Sequence, residues 1–258
     1  MRAPRTLAVA VVVGLLLCAG ADAELTRQGG LIASFTARLT PKTLPRKRPV
    51  AVAVRVAGDF KTAGGAKLPQ LRTISVAINR TGRLYDRGLP TCRLKAIQPA
   101  TEADALALCH RALVGSGHVT IQVHLDNQAP FAVQAALLAF NGPHRHGEKL
   151  ILAQIYAEDP PGAFVLTFKL KRRPGLFGTV MTTMLPRGAQ GWAYLTHFDM
   201  TLERTYRAHG ASHSYVSAAC AAPAGFPGAV FPFAKATYGF ANGQKPRTTV
   251  VRSCHVGG

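Results

Sequence analysis

The chain has 258 residues, 48% of them hydrophobic and 17% charged, and its 31 lysines and arginines against 12 acids give a formal charge of +19. Beyond the N-terminal apolar run no segment reaches the roughly 20 residues that span a bilayer, which excludes a helical anchor in the body of the chain. The charge favours encounter with polyanions such as envelope polymers, acidic polysaccharide or phospholipid head groups, and says nothing of the fold. Arginine richness has a second explanation in a GC-rich coding sequence, to which the heavy use of Ala, Gly and Pro also points.

In chain order, Arg2 and Arg5 precede an apolar run from Leu7 to Leu17, and Ala21-Asp22-Ala23 places small residues where a signal peptidase reads. This pattern predicts a secretory signal peptide over residues 1–23 and a mature chain starting at Glu24, secreted and either released or associated with the cell surface. Leu17 stands where a lipid-modified cysteine wants a small residue, so Cys18 is expected to leave with the signal. Loss of Arg2, Arg5 and Asp22 takes the 31 basic and 12 acidic residues to 29 and 11, a net +18.

Thr40 to Pro49 reads as a basic, proline-containing loop with Lys42, Arg46, Lys47 and Arg48. Val50, Val52, Val54 and Val56 then alternate with Ala51, Ala53 and Arg55, and Ile74, Val76 and Ile78 repeat the period of two that marks a strand. Asn79-Arg80-Thr81 matches the glycosylation sequon. A helix is expected from Thr101 to Val114. Thr101 with Asp104 resembles a capping box, Glu102 and Asp104 lie where the helix dipole favours acids, and Gly115 is placed to stop it. Leu106, Cys109 and Leu113 share its buried face.

From His118 to Leu125 the inward set is Val119, Ile121, Val123 and Leu125. Phe131 to Phe140 is ambiguous, with helix-like Ala and Leu content but with Pro130 and Asn141-Gly142-Pro143 bracketing a strand's length. Leu150 to Ala157 and Leu176 to Leu185 are apolar on both faces, as in central or doubly covered strands. Between them Phe164, Leu166, Phe168 and Leu170 oppose Val165, Thr167, Lys169 and Lys171. Tyr194 to Tyr206, Ser212 to Cys220, Phe226 to Phe240 and Arg247 to Cys254 bring the count to roughly ten strands. The expected fold is therefore all-β, an antiparallel β-sandwich-like body with one short α-helix at about residues 101–114. Residues 24–258 read as a single β-rich domain, with two packed subdomains meeting near residues 143–148 as the alternative.

Without Cys18 four cysteines remain, an even number in an exported chain, and they allow three disulfide connectivities. The expected pairs are Cys92 with Cys109, which flank one short segment, and Cys220 with Cys254, which flank the last two strands. A structural metal site would want close pairs of the C-x-x-C kind, and the sequence has none.

Gly88-Leu89-Pro90-x-Cys92, Cys109-x-x-Ala-x-Val-Gly115-x-Gly117, Cys220-x-Ala-Pro223-x-Gly225-Phe226 and Arg252-x-Cys254, with Leu44-Pro45-Arg46 near the start, resemble a family of exported four-cysteine proteins from high-GC Gram-positive bacteria. The resemblance covers nearly the whole mature chain. It implies export and a cysteine framework, and assigns no activity, ligand or catalytic residue.

No motif specifies a reaction. Val114-Gly115-Ser116-Gly117-His118 lacks the spacing of a G-x-S-x-G elbow, and Glu158-Asp159 before Pro160-Pro161 reads as an exposed turn rather than a pair of glycosidase carboxylates. The one candidate metal set is His144, His146 and Glu148 in a loop, crowded by Arg145 and Lys149; His118 with His124, and His197 with Asp199, share strand faces. Lys169, Lys171, Arg172 and Arg173 form a candidate anion-binding cluster, with protection of a solvated sheet face as the competing explanation. Interleaved aromatics and a recognition helix are both missing, which argues against sequence-specific nucleic-acid binding. The expected function is a non-catalytic structural or binding module at the cell envelope that meets anionic polymer or polysaccharide and needs no cofactor. The alternative is a secreted metal-assisted hydrolase built on His144, His146 and Glu148.

Overall fold

Alternating apolar side chains can be buried on one face only where strands pair, and pairing organises almost the whole chain. The computed structural model describes residues 23–145, 147–186 and 191–257, so the expected signal peptide, with Cys18, lies outside the described residues except for Ala23. The described elements begin with strands β1 (Glu24–Gln28), β2 (Leu31–Thr40), β3 (Thr43–Leu44), β4 (Val50–Ala51), β5 (Ala53–Thr62), β6 (Leu71–Asn79) and β7 (Gly82–Leu84). Two helices follow, α1 (Leu94–Ile97) and α2 (Glu102–Cys109). Next come β8 (Leu113–Val123), β9 (Phe131–Asn141), β10 (Lys149–Ala157), β11 (Gly162–Arg172) and β12 (Phe177–Met184). The chain closes with β13 (Ala193–Leu202), β14 (Thr205–Ala208), β15 (Ala211–Ser214), β16 (Val216–Ala218), β17 (Gly228–Phe240) and β18 (Arg247–Val256).

One sheet takes thirteen of these strands in the order β1-β2-β5-β13-β8-β9-β10-β11-β12-β6-β17-β18-β3. Its pairings are antiparallel, save for the short parallel contact of β18 with β3. Strand twist makes so wide a sheet curl, and here it curls until β18 lies beside β1 and β2. Side chains bridge that seam. Arg252 donates from Nε to the Ala37 carbonyl at 2.8 Å, from Nη1 to Glu24 Oε1 at 2.8 Å and from Nη2 to Thr36 Oγ1 at 3.3 Å. The Thr26 hydroxyl donates to the Arg247 carbonyl at 2.8 Å, and the Lys245 N–H donates to Gln28 Oε1 at 2.8 Å. The two walls of the expected sandwich are thus opposite sides of a single curled sheet that closes as a barrel.

The inner face carries the alternating residues of every wall strand. Phe35 of β2, Phe60 of β5, Val76 of β6 and Tyr238 of β17 are buried there, with the small residues Ala33, Ala37, Ala139 and Ala236 between them. Phe60 meets Tyr238 edge to face at a centroid distance of 4.7 Å. The inward sets read from Val54–Val56, Ile74–Ile78 and Phe164–Leu170 lie on this face. Phe131 to Phe140 resolves as strand β9, because β8 and β10 pair with it on both edges. Leu31, Ala33, Phe35, Ala37 and Leu39 show the same alternation and form β2, a strand not anticipated above although its period was present.

Helix α2 starts as anticipated, with the Thr101 hydroxyl accepting the Asp104 N–H at 3.1 Å. It ends at Cys109, and His110–Ala112 add a 3₁₀ turn. Gly115 is not its stop. The chain is already in β8, where a side chain at Gly115 or Gly117 would collide with the carbonyls of Thr201 and Asp199 on β13. The helices pack outside the barrel, where Ile97, Ala105 and Cys109 cover Leu138, Phe140 and Leu152. A three-stranded sheet, β4-β16-β7, closes one end of the barrel, with Leu84, Val216 and Ala218 facing the interior. The β14–β15 hairpin beside it turns at His209 and Gly210, both at positive φ, as a tight hairpin turn requires.

Both disulfides pair as expected, Cys92 with Cys109 and Cys220 with Cys254. The first ties the segment after β7 to α2 on the outer wall; the second ties the chain beyond β16 to β18. With sequence separations of 17 and 34, loop-closure entropy assigns them about 3 and about 4 kcal/mol. Replacing Cys220 and Cys254 together with serine should therefore lower stability in urea by more than the same change at Cys92 and Cys109; equal losses would show that loop length does not govern them. Arg252→Ala should cost about 2–3 kcal/mol, because it strands the Ala37 carbonyl and the Glu24 carboxylate at a part-buried seam. Arg252→Lys should recover only a fraction, since the three donors of an ammonium sit on one nitrogen and cannot reach the separate acceptors that the guanidinium meets from Nε, Nη1 and Nη2, and full recovery would contradict the seam's dependence on the guanidinium.

Candidate ligand-binding cavity

Strand β11 crosses the barrel from end to end, and its inward residues run Phe164, Leu166, Phe168, Leu170 and Arg172. At the Phe164 end lies a pocket of about 330 Å³ walled by Ile121, Val133, Ala135, Ile155 and Leu195, with Pro160, Pro161, Pro186 and Trp192 around its opening. Leu166 and Leu195 also line a central void of about 110 Å³, enclosed by Val56, Val76, Phe168, Met181, Phe198 and Met200. Thr179 and Leu84, at the far end of that void, line in turn a groove of about 460 Å³ whose other walls are Glu148, Lys149, Leu170, Lys171, Arg172 and Arg173. Three spaces therefore adjoin along one axis, apolar at the opening, apolar in the middle and cationic at the far end.

An aliphatic and aromatic lining offers water no hydrogen-bond partners, so such a space favours apolar groups. The central void is smaller than the about 150 Å³ that accommodates a benzene ring, whereas the pocket at the opening falls at the lower end of the about 300–1,000 Å³ of small-molecule sites. Trp192, at its opening, is 44% exposed. Leu125, expected to point inward, lies beyond the end of β8 and is 47% exposed instead.

The cationic end is built on strand register. Lys149 of β10 is the cross-strand partner of Leu170 and shares its face. It is held by Asp86, to which it donates a hydrogen bond, and the other oxygen of Asp86 lies 2.7 Å from His144 Nε2. Lys171 pairs with Glu148 at 2.7 Å. No described carboxylate pairs with Arg83, Arg172 or Arg173. Of the four residues proposed as an anion cluster, Lys171, Arg172 and Arg173 line the groove, while Lys169 is exposed outside it. Arg46 of the early basic loop has a structural task, donating to the carbonyls of Ala222, Pro223 and Phe226.

Asp86 is the buried acid of this end, its side chain only 5% exposed. Burial pushes its carboxyl up, but the hydrogen bonds and charges of Lys149 and His144 outweigh burial and hold it below the usual carboxylate value. Nearby, burial raises the Tyr206 phenol to about 12, and its hydroxyl donates to the Arg87 carbonyl at 3.0 Å.

The candidate metal residues are not brought together. His144 is turned to Asp86 and Glu148 to Lys171, and His146 lies outside the described residues. Among the described residues no group of three His, Cys, Asp or Glu side chains could hold an ion. His197 and Asp199 do share the outer face of β13, yet each has its own partner: His197 Nδ1 lies 2.7 Å from Asp59 Oδ1, and Asp199 takes an Arg55 hydrogen bond at 2.7 Å. Ser34 donates to the other Asp59 oxygen at 2.8 Å. That order places the carboxylate between serine and imidazole, so the histidine cannot take the serine proton as a catalytic triad requires. His118 lies 3.8 Å from Asp199, and His124 stacks edge-on against Tyr194. Ser116 sits mid-strand in β8, without a nucleophile elbow. Asn79 of the sequon is 3% exposed and donates to the Pro232 carbonyl at 2.7 Å.

Sequence reasoning missed the pocket at the opening, whose walls come from β8, β9, β10, β11 and β13. The one local signal was Trp192, the chain's single tryptophan, directly after a glycine and ahead of a strand. A further outcome is expected from Asp86. A depressed carboxyl pKa contributes stability that is present above the unfolded value near 3.9 and lost as pH falls through the folded value. Asp86→Asn should thus destabilise by about 1–3 kcal/mol at pH 7, discounted for the partly exposed Lys149 and His144. The difference from wild type should narrow steadily as pH falls below the unfolded value, and a difference that does not narrow in urea titrations at progressively lower pH would refute the ionic origin.

No protein-family model, curated protein or solved structure matches the chain.

Proposed function

We propose that this is an exported, non-catalytic binding module that takes an apolar chain into the interior of its barrel. The observation that carries the reading is the adjacency of two apolar spaces, the pocket and the central void, which share the wall residues Leu166 and Leu195. Among the described residues, Gln70 is the one polar side chain around the pocket besides the Trp192 indole, and the void meets polar side chains only at Thr179, Arg83 and Ser217. A hydrolase would need a nucleophile or an activated water where the substrate sits, and among the described residues this lining supplies neither a carboxylate nor a histidine. Two disulfides support an oxidising, extracellular setting, and no described helix is long and apolar enough to cross a membrane. The cationic charge supports residence near anionic envelope material, where amphiphiles are at hand.

Trp192 reports on the site directly. Titration of delipidated protein with palmitate or hexadecanol should change its emission saturably, and no response to either would overturn the reading. Ala135→Phe fills the pocket and should abolish the response with the far-ultraviolet circular dichroism unchanged. Ala132→Phe, on the exposed face of the same strand, should bind like wild type.

A further inference from the structure

We infer that the ligand is an anionic amphiphile, a single acyl chain whose carboxylate or phosphate sits in the basic groove on Arg172 and Arg173 while its tail fills the barrel. This rests on the apolar-chain reading above and names the chemical class of that ligand.

Three observations lead there. First, the groove and the void share the wall residues Leu84 and Thr179, so these side chains are what stands between the groove and the apolar interior. Second, the groove is held cationic by its own architecture. Asp86 fixes Lys149 and Glu148 fixes Lys171, whereas Arg172 and Arg173 have no described carboxylate partner. A guanidinium presents a planar fork of donors that matches a carboxylate or a phosphate, and such charge-assisted pairs are the strong ones.

Third, the lengths agree. From Leu166 to Arg172, six residues along β11, is about 20 Å at strand rise, or about 15 Å along the axis of a barrel whose strands tilt about 40°. A single acyl chain covers about 15 Å, half of the roughly 30 Å hydrocarbon core of a bilayer. A charged head would not cross the apolar interior without a partner. The tail therefore goes in first, between Thr179 of the wall and Leu84 of the β4-β16-β7 sheet, and parts the side chains around the void, which at about 110 Å³ is too narrow for it as it stands, so that its end arrives beside Leu166 and Leu195, at the pocket that Trp192 borders.

The test compares palmitate and hexadecyl phosphate with hexadecanol in the Trp192 titration, using wild type and the double variant Arg172→Gln, Arg173→Gln. Wild type should bind one or both anions about 10- to 100-fold more tightly than the alcohol, and added salt should shrink that preference. Which anion is favoured separates a carboxylate ligand from a phosphate one. The double variant should bind all three alike, near the wild-type affinity for hexadecanol. Equal affinities in wild type, or a preference that survives the double substitution, would overturn the anionic head and leave the apolar-chain reading standing. Failure of all three ligands to bind would overturn both.

Discussion

Closure of the curled sheet at the seam between β18 and the β1–β2 hairpin is the constraint on which the interior depends. An open sheet of this width would expose its inner face, with Phe35, Phe60 and Tyr238, to water. At the seam the bridging groups are side chains: Arg252 to the backbone of Ala37, to Thr36 and to Glu24, then Thr26 and Gln28 to the segment that leads into β18. Side chains bridge where the two strands do not approach in register, and a guanidinium is suited to this because its donors point in several directions at once. The Cys220–Cys254 bridge adds a covalent hold on the same strand, so β18 is tied along much of its length.

Closure alone makes a packed core; what makes a cavity is the size of the inward residues. Alanines on β9 and β10 leave space between the aromatic and branched side chains of the opposite wall, and the space widens toward the opening, where Pro160, Pro161 and Pro186 carry no side chain long enough to fill it. At the other end the small β4-β16-β7 sheet occupies the bore and the wall strands run on into charged residues. Position along the axis thus sets the chemistry, and β11 shows it within one strand, from Phe164 to Arg172. The low dielectric of the interior sharpens the contrast, since a charge is tolerated at the hydrated groove and opposed two pleats further in.

The buried acid of the cationic end has an organising task as well. Asp86 follows β7 and receives Lys149 and His144 from the β9–β10 hairpin and its approach, so one carboxylate joins the sheet that fills the bore to the wall. Its ionisation is sustained by those partners against burial. The same two contacts turn His144 away from any role as a metal ligand alongside Glu148, which is engaged by Lys171.

Local sequence pattern determined a good deal by itself. The period of two in Val54–Val56, Ile74–Ile78, Val119–Val123 and Phe164–Leu170 sorted inward from outward residues, because pleating alone sets that choice. The Thr101 cap located the start of α2, and the even number of cysteines pointed to two bridges. Where neighbours in space decided the outcome, local pattern was insufficient. Phe131–Phe140 became strand only because β8 and β10 lie on its two edges, and Gly115 proved to be a point of close approach to β13 rather than a helix stop. Closure of the sheet, the pocket beside Trp192 and the run of spaces that ends at Arg172 join residues more than a hundred positions apart. They follow from the curl of a wide twisted sheet, a property of the assembled strands that no single segment carries.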